Sequence, residues 1–461
     1  MASRKKPRAS SSAGSAGTPP AEPPVASASV EPTEGGATGR YIVTFREGSE
    51  KNAVSLMNKS AGIQAVARAS DFDESAVNLE SVESADALVF DELGIAVVRT
   101  PPDSLNALTA AAADADENPI LAIEPELIME ALQDVPEEPP AGGPGFSLSY
   151  LRGYRDAVVH LYEQLSGGLG AEQIGAGAAM SDTDLATWGL AATKALGSRF
   201  SGRGVRVAVL DTGLDLQHPD FVGRAVTSQS FIPDEEVQDR HGHGTHCIGT
   251  ACGPQRPTAG RRYGIAHQAQ IFAGKVLRNN GKGPDSSILA GINWAVANGC
   301  QVISMSLGLQ APASLAYEQA ARRGLAAGCL LIAAAGNDSR RSQNLIRPVS
   351  RAANCQSILA VAAVDPRFQV ANFSNRGTAV AGGQVDIAGP GVDVFSSAPM
   401  PQRGKVLSGT SMATPHVAGI AALWVEARQV TGAALFQVLT SSARRLGALS
   451  VDVGAGLVQA P

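Results

Sequence analysis

The stretch Ser408-Gly409-Thr410-Ser411-Met412-Ala413-Thr414-Pro415-His416-Val417-Ala418-Gly419 reads as a tight turn that delivers one hydroxyl to the start of a buried helix. Gly409 allows the turn, and Val417, Ala418, Ile420, Ala421, Leu423 and Trp424 are too densely apolar for a helix with a solvated face. Ser411 then lies among the unpaired N–H groups of a helix N-terminus, in a field that favours an alkoxide or an oxyanion. A serine there can equally be a plain N-cap, and polar residues elsewhere in the chain have to decide between the two.

Upstream of that helix, apolar runs of strand length at 205–210, 271–277, 302–305, 330–334 and 358–364 alternate with helical stretches at 286–298 and 315–327. Continuous apolar strands alternating with helices predict an α/β fold over 187–461, a mainly parallel central sheet flanked by helices. In such sheets the chemistry gathers beyond the carboxyl ends of the strands. Asp211-Thr212-Gly213 follows the first strand there, and Gly336-Asn337 follows the fourth. Between them stands His241-Gly242-His243-Gly244-Thr245-His246. Taken singly, Asp211 and Asn337 can simply close turns. His243 and His246 would share one helix face and can be read as metal ligands, but no cysteine or carboxylate stands at ligand spacing. A histidine base at a helix start is the stronger reading.

Together these stretches resemble the subtilisin-like serine proteases, whose triad runs Asp, His, Ser along the chain. The motifs are Val209-Leu210-Asp211-Thr212-Gly213-Leu214 with His218-Pro219-Asp220, His241 to Cys247, and Gly409-Thr410-Ser411-Met412-Ala413-Thr414-Pro415-His416. The resemblance implies a serine endopeptidase in which Ser411 is the nucleophile, His243 the base and acid, Asp211 the group that orients His243, and Asn337 the oxyanion donor. It implies that Gly281-Lys282-Gly283 and Ser306-Leu307-Gly308 clamp an extended peptide by backbone pairing. Ala334-Ala335-Gly336 then walls the pocket for the residue before the cleaved bond, with room for a large apolar side chain. Cys247 matches the free thiol near the triad in the proteinase K branch. Asp386 matches a carboxylate that binds Ca2+ in some relatives, with a solvated turn aspartate as the competing reading. The chemistry requires no cofactor.

The resemblance covers 187–461 and, more faintly, 40–132. Strand-like runs at 41–45 and 93–98, a helical stretch from Pro102 and a further run at 120–125 suggest a small α+β domain. By resemblance it is the ferredoxin-like propeptide, an intramolecular inhibitor that leaves its last strand in the cleft. Residues 1–39 read as a disordered tail whose basic start lacks the apolar core of a secretory signal. Residues 133–186 read as a linker, with Leu148, Leu151, Tyr154, Val158, Leu161 and Leu165 predicting a short helix. That insert leaves the maturation bond open between about 133 and 187.

Composition agrees with a folded protein: 461 residues, 44% hydrophobic, with 50 glycines. A formal charge of -6 advertises no nucleic acid, and the longest apolar run, 325–335, is too short to span a bilayer. Five cysteines without framework spacing suggest buried thiols and cytoplasmic synthesis without a signal peptide, with export by a non-classical route left open. The expected partners are protein or peptide substrates and the chain's own propeptide, acting as a monomer. The rival reading is a protease fold held permanently shut as a regulatory or binding protein.

Overall fold

The computed structural model describes residues 37–114, 118–132, 179–258 and 260–461. The expected tail up to residue 36 and the expected linker helix lie outside the described residues.

The N-terminal part runs β1 (Ala37–Phe45), α1 (Glu50–Ala61), β2 (Val66–Arg68), β3 (Ala87–Phe90), β4 (Ile95–Val98), α2 (Pro102–Asp114) and β5 (Ile120–Ala131). β1 lies between β4 and β5, antiparallel to both; β3 pairs antiparallel with β4, and β2 runs parallel to β3 at the edge. With β2 set aside, this is the split βαββαβ arrangement of ferredoxin-like domains. β1 begins at Ala37, so the stretch expected as tail already contributes strand residues at 37–39.

This sheet is covered on both faces. Val43, Phe45, Val89, Ala96 and Val98 pack against Ala53 and Met57 of α1 and Leu108 and Ala112 of α2. The alternate residues Ile42, Leu88, Phe90, Ile95 and Val97 enter a core shared with Trp294, Ala316, Tyr317 and Ala320. Double burial explains why 93–98 reads as an unbroken apolar run although its strands are antiparallel. Each large side chain so buried contributes about 1.5–3 kcal/mol.

The larger part runs α3 (Trp188–Ala192), β6 (Arg206–Asp211), β7 (Val226–Ser230), α4 (His243–Cys252), β8 (Gln270–Lys275), β9 (Lys282–Pro284), α5 (Asp285–Ala297), β10 (Val302–Met305), β11 (Leu307–Gly308) and α6 (Leu315–Ala326). It continues with β12 (Leu330–Ala334), β13 (Leu359–Val364), β14 (Ile387–Pro390), β15 (Val394–Ala398), β16 (Arg403–Leu407), α7 (Thr410–Arg428), α8 (Gly432–Ser442) and α9 (Ser450–Val453). The central sheet is parallel throughout, in the order β14-β13-β12-β10-β6-β8-β7. Its middle strands coincide with the expected apolar runs. The edge strands β7 and β14 escaped that reading for a physical reason: VTSQS holds a single apolar residue, and IAGP contains a glycine and a proline.

α7 is buried from Thr410 to Val425 and packs on α4 and on β10, β12, β13 and β14. All five cysteines are buried free thiols. Among the described residues no helix is long and apolar enough to cross a membrane.

Candidate active site

β6 ends in Asp211, fully buried, and the chain turns back at once through Gly213, where a side chain would collide with the carbonyl of Val237. Gly244 lets the first turn of α4 press against the backbone of Thr212 and Gly213. His243, the first residue of α4, thereby meets Asp211, with Nδ1 2.8 Å from Oδ1 and 3.0 Å from Oδ2. Burial opposes a charged ring, but the Asp211 carboxylate outweighs it and holds the His243 pKa well above the ordinary value. His246 faces the other way: its Nε2 lies 3.1 Å from the Val394 carbonyl oxygen, and burial pushes its pKa down to about 3. The metal reading of His243 with His246 therefore fails, because the two rings serve different partners.

Ser411 sits in the first turn of α7. Pro415 has no N–H to give the carbonyl four residues back, so the Ser411 carbonyl is left without its helical partner. It accepts instead from Ser306 Oγ at 2.8 Å and from the Cys247 thiol at 3.5 Å. Proline thus turns a missing helix bond into an anchor for the Ser411 backbone. Cys247 also lies 3.9 Å from His243 Nδ1, and burial raises its pKa, so it is a neutral packing thiol here.

Asn337 follows β12. Its Oδ1 accepts from both the Thr410 N–H at 2.9 Å and the Thr410 hydroxyl at 2.8 Å. The oxygen is spent on α7, so what this amide offers a ligand is its NH2 group. Beside it opens a cavity of about 520 Å³, also lined by Gln310, Asp338, Arg340, Leu345 and Arg347.

The expected peptide clamp is occupied by the chain itself. The end of β5 pairs antiparallel with β9, where Met129 faces Gly283 and Glu130 faces Lys282. On its other edge it pairs with β11, where Ala131 faces Leu307 and Glu130 faces Gly308. The Ala131 N–H donates to the Gly281 carbonyl at 2.7 Å, and the Leu132 N–H to the Ser306 carbonyl at 3.3 Å. Ser411 Oγ then donates to the carbonyl oxygen of Leu132 at 2.9 Å. A side chain at Gly308 would touch both Leu132 and Ser350, and one at Gly336 would run into Ser350 and Asn375. Ser350, which no sequence signal announced, thus packs against both Gly308 and Gly336, and Ala334 is buried at the end of β12.

The family model described as "Subtilase family" matches residues 202–456, more than half of the chain. The chain belongs to the subtilase family. Among its relatives, the "Thermostable alkaline protease" of Halalkalibacterium halodurans is 42% identical over 262 residues, 56% of this subtilase and 67% of that protein. The "Subtilisin-like protease 1" of Arthroderma gypseum is 38% identical over 264 residues, 56% of this chain and 50% of that one. The match thus spans about half the length of that fungal relative, and the same holds for its counterpart in Trichophyton rubrum, at 48%.

Three carboxylates hold the strand in the cleft of this subtilase. Glu124 accepts from the Ala316 N–H at 3.1 Å at the start of α6, and Glu126 from the Ser286 N–H at 2.9 Å at the start of α5. Arg40 adds a bond to Glu126 at 2.6 Å. In return, Asp285 accepts the Leu127 N–H at 2.9 Å and the Tyr317 hydroxyl at 2.8 Å. Carboxylates at helix N-termini suit the unpaired N–H groups there. Only Glu124 and Glu126 lie in a stretch that the sequence marks, and nothing in that stretch announces their targets.

Asp386, the candidate cation ligand, accepts the Ala360 N–H at 2.8 Å and is buried enough to raise its pKa to about 6. Among the described residues the grouping with metal-like donor spacing is Asp211, His243 and Cys247, which does not include Asp386. Its visible work is to join β13 to the start of β14.

Proposed function

We propose that this subtilase is a serine endopeptidase made as a self-inhibited precursor, with residues 40–132 as its propeptide. The observation that carries the reading is the Leu132 carbonyl, which meets the Ser411 hydroxyl while its strand is paired on both edges of the cleft. Ser411 adds to that carbonyl, and His243, kept in the right tautomer by Asp211, takes the proton. The Asn337 NH2 group meets the oxyanion. Collapse releases the amine of Gln133, to which His243 returns the proton, and water then hydrolyses the acyl-enzyme by the same route.

Leu132–Gln133 is then the maturation bond, and the insert 133–186 stays with the catalytic part. After the cut, residues 40–132 remain as a product-like strand held by the Glu124, Glu126 and Asp285 contacts. Leu132 against Gly308 supports a preference for an apolar residue before the cleaved bond, and the names of the relatives support the protease class.

Intact-mass analysis of the wild type beside Ser411→Ala tests this. Wild type should shorten to a fragment that begins at Gln133 and labels at Ser411 with a fluorophosphonate, while the alanine variant stays whole. A wild type that stays whole, and that gains neither label nor activity when an added protease removes the propeptide, favours the permanently shut protein. The depth of the Glu126 contact is what gives that rival any weight.

A further inference from the structure

We propose that Asp239 is a positioning residue for the reaction at His243, holding both partners of the His243–Asp211 pair through one buried carboxylate. The inference rests on His243 being the base of a serine endopeptidase.

Asp239 is 1% exposed and its two oxygens accept five hydrogen bonds. Oδ1 takes the N–H groups of His241 at 3.0 Å and Gly242 at 2.8 Å, and the Thr212 hydroxyl at 3.0 Å. Oδ2 takes the N–H of Thr245 at 2.9 Å and its hydroxyl at 2.7 Å. The backbone is therefore clamped on both sides of His243, from which the imidazole projects. The Thr212 hydroxyl meanwhile accepts the Gly244 N–H at 2.8 Å. Thr212 directly follows Asp211, so the strand end that carries one partner is stitched to the helix turn that carries the other.

Capping α4 alone would need only one or two accepted bonds from a neutral side chain. A fully buried carboxylate is a costly way to do that, because its charge has to be satisfied entirely by oriented donors. Here those donors belong to the two segments whose separation sets the His243–Asp211 distance. The other charged groups around the turn are Asp211, His241, Lys405, whose Nζ lies near Gly242, and Lys275, whose Nζ donates to the Thr212 carbonyl at 2.7 Å and pairs with Glu235. Misplacement of a catalytic group by about 1 Å costs on the order of 100-fold in rate.

The test uses the matured enzyme, made from the full-length chain, with active sites counted by fluorophosphonate. Asp239→Asn and Thr212→Val should each lower kcat by about 10- to 100-fold with KM within about twofold of wild type. Thr212→Ser, which keeps the bridging hydroxyl, should restore turnover. Asp239→Asn should also move the acid limb of the kcat/KM profile to lower pH, because a negative charge near the imidazolium is gone. If both variants keep kcat and lose only melting temperature, Asp239 is a helix cap and the proposal is overturned. If Asp239→Asn fails to mature, the contrast between Thr212→Val and Thr212→Ser decides by itself. A wild type without turnover that depends on Ser411 overturns the endopeptidase reading and this proposal with it.

Discussion

Ser411 Oγ lies 2.9 Å from the carbonyl oxygen of Leu132 and donates its hydrogen to it, while His243 Nε2 is buried with no hydrogen-bond partner among the described residues. The hydroxyl is thus committed to the last residue of the paired strand rather than to His243. A reaction at this bond requires the hydroxyl to turn to His243, and anything that loosens Leu132 alters that step.

Leu132 is accordingly the residue whose replacement should slow self-processing. Leu132→Ala removes the side chain that packs at Gly308 and should slow the first cut at least about 10-fold, by the usual value of lost methylenes in an apolar pocket. Leu132→Pro also removes the N–H that Ser306 accepts, and should stop the cut at this bond. The decay of intact precursor mass reads both, and unchanged decay in Leu132→Pro would show that the cut lies elsewhere.

Asn337→Ala should lower kcat by about 10²–10³-fold with little change in KM, since on the proposed mechanism its NH2 group acts only once the oxyanion forms. The reference case for that magnitude is itself a protease of this family. Because the Asn337 oxygen also ties Thr410 to β12, melting of the Ser411→Ala/Asn337→Ala double variant separates stability from catalysis.

The pH profile follows from His243. A base must be neutral, and Asp211 holds this ring protonated to a higher pH than an ordinary histidine, against the opposing effect of burial. Activity should therefore fall as pH drops through a value above 6.5, with the acid limb of kcat/KM displaced upward. Asp211→Asn should bring that limb down and cost about 10⁴-fold in kcat. A limb at or below 6.5 in the mature wild type would contradict the assignment.

Docking of β5 should strengthen in acid. Burial raises the Asp285 pKa from 3.8 to about 6, against the opposing pull of Arg351, the Leu127 N–H and the Tyr317 hydroxyl. The part of that rise that docked β5 contributes means that the docked state takes up a proton as the pH falls toward about 6 and carries a penalty above it. In the Ser411→Ala chain, hydrogen exchange of the β5 backbone, corrected for intrinsic rates, should show more protection at pH 5 than at pH 7. Asp285→Asn should flatten that difference.

Much of the catalytic part is legible in the sequence because its chemistry is local. Asp211, His243, Asn337 and Ser411 stand at strand ends or helix starts, where neighbouring glycines and apolar runs mark the turn. The middle strands of the parallel sheet are legible because both faces are buried and nearly every residue is apolar. Asp239 is not, since an aspartate four residues before a histidine carries no periodic signal, and its five donors come from two stretches of chain, Thr212 and residues 241–245.

The sequence by itself determined the parallel α/β core, which rests on burial pattern, and its motifs, through their resemblance to the subtilases, pointed to Asp211, His243, Asn337 and Ser411 and to two segments expected to pair with a peptide. Only the tertiary structure decided what fills that cleft. That β5 runs on to Ala131, that Leu132 ends at Ser411, and that Glu124 and Glu126 find α6 and α5 all depend on hydrogen bonds between residues about 150 or more positions apart. Backbone pairing of that kind is indifferent to side-chain type, so no local pattern records the partner.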